Sequence, residues 1–280
     1  MHRTISRFDF IDAARTTGER FAALTRDLGA ADIRLRDDPT WSVADCVGHI
    51  ACEPSRYLDL ISGDTEWPAS AIDLVDIYAK QVANLTTRDV GELCDKLLVD
   101  LDALLDTVYH FAAQVPMMSI AGDRCVRADA ALGILTGEMM LTGMDIARSL
   151  HVRWPVDRTI APLVIRGRHQ LLPNWVDQVT PDGHTATYDV RLRGCDDRFV
   201  YEFTDGKLEL DPAEPRRADV HLSIDAAAAL LTGNGRMSPT WAIASGRAMV
   251  WGPRPWLAPG LAAIFARATP RTNSGPGSAG

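Results

Sequence analysis

Side chains able to ligate a metal ion or hold a proton recur at helical spacing in two stretches of this sequence. Around His49, Cys46 stands three residues before and Glu53 four after, which sets all three on a similar face of a helix. Glu138 begins the second set, within GEMMLTGMDIARSLHVRWP, with Thr142 four residues on and Asp145 three beyond that. Residues four apart on a helix share a face and lie about 6 Å apart along the axis, so two ligands from one helix and one from its neighbour can meet a single ion in a bundle core. A catalytic zinc site keeps three protein ligands and an open position for water or substrate. Thr142 offers only a neutral hydroxyl to such an ion, and Asp145 sits about 4.5 Å further along the axis. The same residues fit a plainer reading, with His49 a satisfied core histidine, Glu138 a paired buried carboxylate and Cys46 a small buried hydrophobe. Met139, Met140 and Met144 read as flexible core filling.

The elements that must hold these groups are mostly helical. Phe10, Ala14, Thr17, Phe21, Leu24 and Leu28 alternate at spacings of four and three, the apolar stripe of a helix ending near Gly29. Ser42 followed by Asp45 approximates a capping box, and the pattern then runs to about Ile61 before Gly63. A shorter helix is expected over 71–85 through Leu74, Tyr78, Val82 and Leu85. A long one starts at Asp89 and keeps its period through Leu97, Leu101, Leu104, Val108, Phe111 and Val115 until Pro116 stops it. Residues 127–151 give the next helix and 159–179 another. From Tyr188, Val190 and Leu192 onward the period becomes two, as in a half-buried strand. FVYEFTDGKLEL reads as a hairpin turning at Asp205 and Gly206. ADVHLSI reads as a strand ending at Asp225, which caps a helix through Leu231. SPTWAIASG then supplies a short helix, RAMVWG a strand and residues 255–267 a last helix.

Composition sets the outer limits. The 280 residues suit two domains, and 46% hydrophobic with 24% charged residues is the balance of a globular chain. A net charge of −8, with acids spread along the chain, disfavours a nucleic-acid partner, which needs clustered cations. No signal-peptide core and no run of 18 apolar residues is present, so a cytoplasmic protein without a membrane span is expected. The five cysteines, Cys46, Cys52, Cys94, Cys125 and Cys195, lack any CxxC pair and read as reduced thiols.

Two segments carry a family resemblance. TWSVADCVGHIA, with Trp41 and His49, resembles the second helix of the mycothiol-dependent maleylpyruvate isomerase family of DinB-like bundles. GEMMLTGMDIARSLHVRWP resembles its fourth helix, in which a Glu is followed four residues later by a His and then by a Gly-x-Asp-Ile-Ala-Arg run. Glu138 matches the Glu, and Gly143, Asp145, Ile146, Ala147 and Arg148 match the run. The resemblance implies a divalent metal, zinc in the first instance, held by His49 and Glu138, with Thr142 standing where the family's third ligand is a His. It also implies mycothiol as the thiol, which would add to a small electrophilic substrate. Cys46 or Glu53 are the side chains placed to complete a shifted ligand set.

The run from Ala218 to Ala266 resembles the sterol-carrier-protein fold, with Gly235–Arg236 and Gly246–Arg247 at its turns. That resemblance implies an apolar ligand held between a sheet and its helices, and Trp241, Trp251 and Trp256 are candidates to line such a pocket. The expected fold class is therefore α+β. A DinB-like antiparallel four-helix bundle spans 1–153, a linker helix 154–183, a sterol-carrier-like α/β domain 184–267 and a disordered tail 268–280. The expected function is a metal-assisted thiol addition or isomerisation; the alternative is a non-catalytic small-molecule or lipid binding module that has lost the metal. The expected partners are accordingly a small thiol and a small electrophilic or apolar ligand.

Overall fold

The computed structural model of the chain describes residues 5–28, 32–36, 40–68, 71–120, 124–176 and 179–267. These fall into two compact units, residues 5–156 and 157–267. The expected end of the first helix at Gly29 and the expected tail 268–280 lie outside the described residues.

The first unit holds α1 (Arg7–Thr25), α2 (Val43–Ser62), α3 (Ala71–Ala83), α4 (Val90–Tyr109), a hairpin of β1 (Met117–Ile120) and β2 (Arg124–Arg127), and α5 (Ala128–Ser149). The bundle is made by α1, α2, α4 and α5, with the α1–α5, α2–α4 and α1–α4 faces packed most extensively. Helix α2 starts where it does because Ser42 and Asp45 cap each other. The Ser42 amide donates to Asp45 Oδ2 at 2.8 Å and the Asp45 amide donates to Ser42 Oγ at 3.1 Å. It stops at Gly63, whose φ of 83° is the left-handed cap that a residue with a Cβ adopts at a cost.

Helix α4 ends at Tyr109, short of the expected Pro116. Beyond it the carbonyls of Phe111 and Ala112 accept from the Arg7 guanidinium in place of a further helical turn. The β1–β2 hairpin was not expected from the sequence; its strands are four residues each, too short for alternation to register. Helix α5 is buried on nearly every face. By length and composition alone it is apolar enough to cross a membrane, yet 78% of that window is buried within the protein, which marks it as a core helix.

The second unit begins with α6 (Ala161–His169) and α7 (Leu172–Val176). These are the single helix expected over 159–179, broken in two. Pro173 lacks an N–H and fits the first turn of a new helix and not the middle of an old one. There follow β3 (Ala186–Arg193), β4 (Arg198–Thr204), β5 (Lys207–Leu210), β6 (Val220–Asp225), α8 (Ala226–Gly233), α9 (Pro239–Ala244), β7 (Ala248–Trp251), a 3₁₀ turn (Pro255–Leu257) and α10 (Ala258–Arg267). The sheet order is β5-β4-β3-β6-β7, with β3 and β6 parallel and the other pairs antiparallel.

The β4–β5 turn places Asp205 at φ 51° and Gly206 at φ 83°, both positive as a two-residue hairpin of this twist requires. Asp225 caps α8 by accepting from the Ala228 amide at 3.0 Å. The architecture is α+β, helices first and a sheet with its helices after.

Candidate functional site

A polar cluster lies inside the bundle. His49, Glu53 and Arg56 follow one another on α2 at spacings of four and three, so all three point to the same side. That side is the buried one: His49 is 6% exposed and Glu53 not at all. The Arg56 guanidinium grips the Glu53 carboxylate, its Nε lying 3.0 Å and 3.1 Å from the two oxygens, with a further bond from Nη2. The guanidinium also stacks on aromatic faces, 5.0 Å from the ring centre of Trp67 and 5.3 Å from that of Tyr57.

Helix α3 contributes the next shell of contacts. The Gln81 amide Nε2 donates to Glu53 Oε1 at 3.0 Å, while its Oε1 accepts from His49 Nδ1 at 3.1 Å. The Tyr78 hydroxyl donates to Glu138 Oε1 at 2.8 Å, and its ring lies 4.1 Å from that of His49. Trp41 closes the far side of His49 edge-on at 5.8 Å. Glu138, reaching in from α5, lies against Glu53 closely enough for the two carboxyl groups to share a hydrogen bond once one is protonated. No donor faces its buried Oε2.

The charges in this cluster are settled by burial and by one another. Desolvation pushes the Glu138 carboxyl up to about 8, the neighbouring Glu53 charge pushes it the same way, and the charge of Arg56 with the Tyr78 hydrogen bond only partly opposes them. Burial would also raise Glu53, but the charge and hydrogen bonds of Arg56 overcome that and hold it well below the usual carboxylate range. His49 is pushed down by burial against the pull of Glu53, and stays neutral. Near pH 7 the cluster is one ion pair, Glu53 with Arg56, flanked by a protonated Glu138, a neutral His49 and a neutral Tyr78.

The structure thus brings together His49, Glu138 and Glu53 from the sequence-derived candidates. Thr142 follows Glu138 by one turn on α5 and is half-buried, as is Asp145. Cys46 is a buried thiol of α2. The sequence reading missed Arg56, Tyr78 and Gln81. For Arg56 a signal was present, a cation three residues after Glu53 on a stripe already occupied by His49. Tyr78 was read as an apolar position, which hid its hydroxyl.

This donor set does not fit a divalent metal. Among the described residues no group of three His, Cys, Asp or Glu side chains is placed to hold a metal ion. Glu53 is engaged on both oxygens by Arg56, and Thr142 supplies no imidazole. A dication ligated by Glu53 would also be repelled by the guanidinium that already holds that carboxylate.

The second unit contains a cavity of about 110 Å³ between the sheet and its helices. By the same measure a single water needs about 10–15 Å³, so there is room for a ligand of many atoms. Val190, Leu192, Leu222 and Ile224 of the sheet face Leu230 and Leu261 of the helices across it. Its polar groups are few and come mainly from Arg168, His169, Tyr201 and Asn234. Burial first, then the charges of Arg166 and Arg168, drive His169 down to about 3, so its imidazole is neutral. Tyr201, whose hydroxyl burial keeps protonated, pairs with His169 Nε2. With Tyr201 as the donor to Nε2, Nδ1 is the N–H, and among the described residues it has no hydrogen-bond partner. The expected tryptophan lining does not form: Trp241, Trp251 and Trp256 are 61%, 46% and 68% exposed, and the walls are mostly aliphatic, with Tyr201 and Phe265 as the larger rings. Strand alternation explains Trp251, which with Met249 points away from the face that Ala248 and Val250 present to the cavity.

This arrangement, helices first and then an open sheet with a covered cavity, is the fold of the mycothiol-dependent maleylpyruvate isomerase. The crystal structure of that enzyme superposes with a TM-score of 0.51 at 16% identity, over 84% of this chain and 91% of its own. A histidine-to-alanine mutant of it gives a TM-score of 0.48 at 14% identity over the same shares. A ubiquinone synthesis protein described as UbiJ-SCP2 gives 0.27 at 15% identity, over 35% of this chain and 75% of its own. No protein-family model and no curated protein matches the chain.

Proposed function

We propose that this chain is a small-molecule-binding protein built on the isomerase fold, and that its second unit takes an apolar ligand bearing one hydrogen-bond-accepting end. The observation that carries this reading is the cavity between the sheet and its helices, apolar over most of its lining, with Arg168, His169 and Tyr201 among its few polar side chains. A carboxylate or carbonyl at one end of such a ligand would be matched by those polar side chains. Arg168, on the same wall, favours the carboxylate. The setting we propose is the cytoplasm, in keeping with thiols that form no disulfide among the described residues.

Titration of the full chain with a long-chain fluorescent fatty acid should give saturable binding. Ala262→Trp, which fills the cavity from a half-buried position on α10, should weaken it by about tenfold or more. Binding indifferent to Ala262→Trp, or no saturable binding at all, would reject the cavity as the site.

A second reading is favoured by the convergence of His49 and Glu138 in one cluster: mycothiol-dependent addition or isomerisation on a small electrophile, the activity named for the structural neighbour. The two readings separate in an isomerase and thiol-transfer assay with mycothiol, run with and without zinc on the unmutated chain and on His49→Ala. Turnover abolished by His49→Ala would support the second reading; the absence of turnover, with fatty-acid binding intact, would support the first.

A further inference from the structure

The bundle cluster raises a question apart from ligand binding, namely what compensates its buried carboxylate. Glu53 is completely shielded from solvent, and a carboxylate in that position needs a cation in contact. In a bundle built around a metal that cation would be the ion. Here the chain carries its own. Arg56 sits three residues from Glu53, is 11% exposed at its side chain, meets both carboxylate oxygens and lies over the rings of Tyr57 and Trp67, which themselves meet edge-on.

We propose that the Arg56 guanidinium is the resident cation of this site, and that two residues, not one, keep a divalent metal out: Thr142 by withholding a ligand and Arg56 by already supplying the positive charge. The guanidinium is held by fork geometry and by aromatic faces, so it is not a mobile side chain that an ion would simply displace. Gln81 adds to the lock, because its amide spans Glu53 and His49 and fixes His49 with Nδ1 as the donor. Restoring a histidine at position 142 therefore leaves the positive charge in place. Removing the arginine alone frees Glu53 but supplies no imidazole one turn after Glu138. Both changes are needed before His49, Glu53, Glu138 and a new imidazole are available to one ion.

The test compares the unmutated chain with Thr142→His, Arg56→Gln, and the Arg56→Gln/Thr142→His double variant, each expressed without a histidine tag. Zinc is measured by elemental analysis and by competition with a chromophoric chelator, and folding by circular dichroism melting. The unmutated chain and Thr142→His should hold far less than one equivalent of zinc. The double variant should hold one, bound about 100-fold more tightly than by either single variant. Its melting temperature should also rise on addition of zinc, because an ion that binds only the folded state stabilises it. Thr142→His leaves the ion pair intact and folds on the same core, so it carries the deciding arm. Full zinc occupancy in Thr142→His or in the unmutated chain would overturn the proposal, as would a folded double variant that binds no zinc.

Discussion

Glu138 gives the cluster a pH signature. The unfolded chain ionises this carboxyl from about pH 4.5 upward, while the folded chain keeps the proton until about 8. Over that interval the folded state binds more protons, so this group's contribution makes stability fall as the pH rises and level off above it. Glu53 works in the opposite sense: its depressed value adds stability above the ordinary carboxylate range, and that stability is lost as the pH falls below it. His49 and His169 are kept neutral by burial and destabilise the fold as the pH drops through the usual imidazole range. The difference between unmutated protein and Glu138→Gln isolates the carboxyl: from pH 5 to pH 8 the urea midpoint of the unmutated chain should fall relative to that of the variant. Parallel curves would mean that Glu138 is ionised in the fold. His49 and Glu138 were legible in the sequence through flanking motifs, and Glu53 through its spacing from His49. Arg56 had a signal in its spacing from Glu53 that was overlooked, whereas Gln81 had none, because a polar residue that turns inward carries no periodicity of its own and matches one that faces water.

Among the elements, α5 shows how tightly the bundle is drawn. At Gly143 a Cβ would come within 2.6 Å of the Trp154 ring, and that indole is itself fixed by donating from Nε1 to the Met140 carbonyl at 3.0 Å. A rigid ring cannot yield as a leucine end can, so Gly143→Ala should destabilise the fold by about 1–3 kcal/mol through overpacking. Chemical denaturation checks this, and a neutral result would show that the indole swings away. Element existence was readable wherever a long apolar stripe or a capping pair marked it, as in α1 and α2 or at the Asp205–Gly206 turn. What could not be read were features set by tertiary partners: the early end of α4 under Arg7, the break before α7, and the short β1–β2 hairpin.

For the whole molecule, the change of period at Tyr188, Val190 and Leu192 identified where the sheet starts. The second unit itself begins earlier, at Asp157, because α6 and α7 belong with it, and helical periodicity alone does not say which core a helix serves. The stretch joining the units includes His151 at φ 57°, in the left-handed region. Limited proteolysis of the full chain should therefore cut first between residues 150 and 160, giving two fragments that resist further digestion. A first cut within α4 or β3 would contradict the division into two units.

The burial of α5 bears on how the chain is made. A segment apolar enough to resemble a membrane span is a hazard as it leaves the ribosome, since it invites capture by targeting factors or clumping with other nascent chains. Here the helices that cover it, α1 and α2, are synthesised before it, and it is the last helix of its unit to emerge. The partners it packs on most extensively within its unit are thus already made when it arrives.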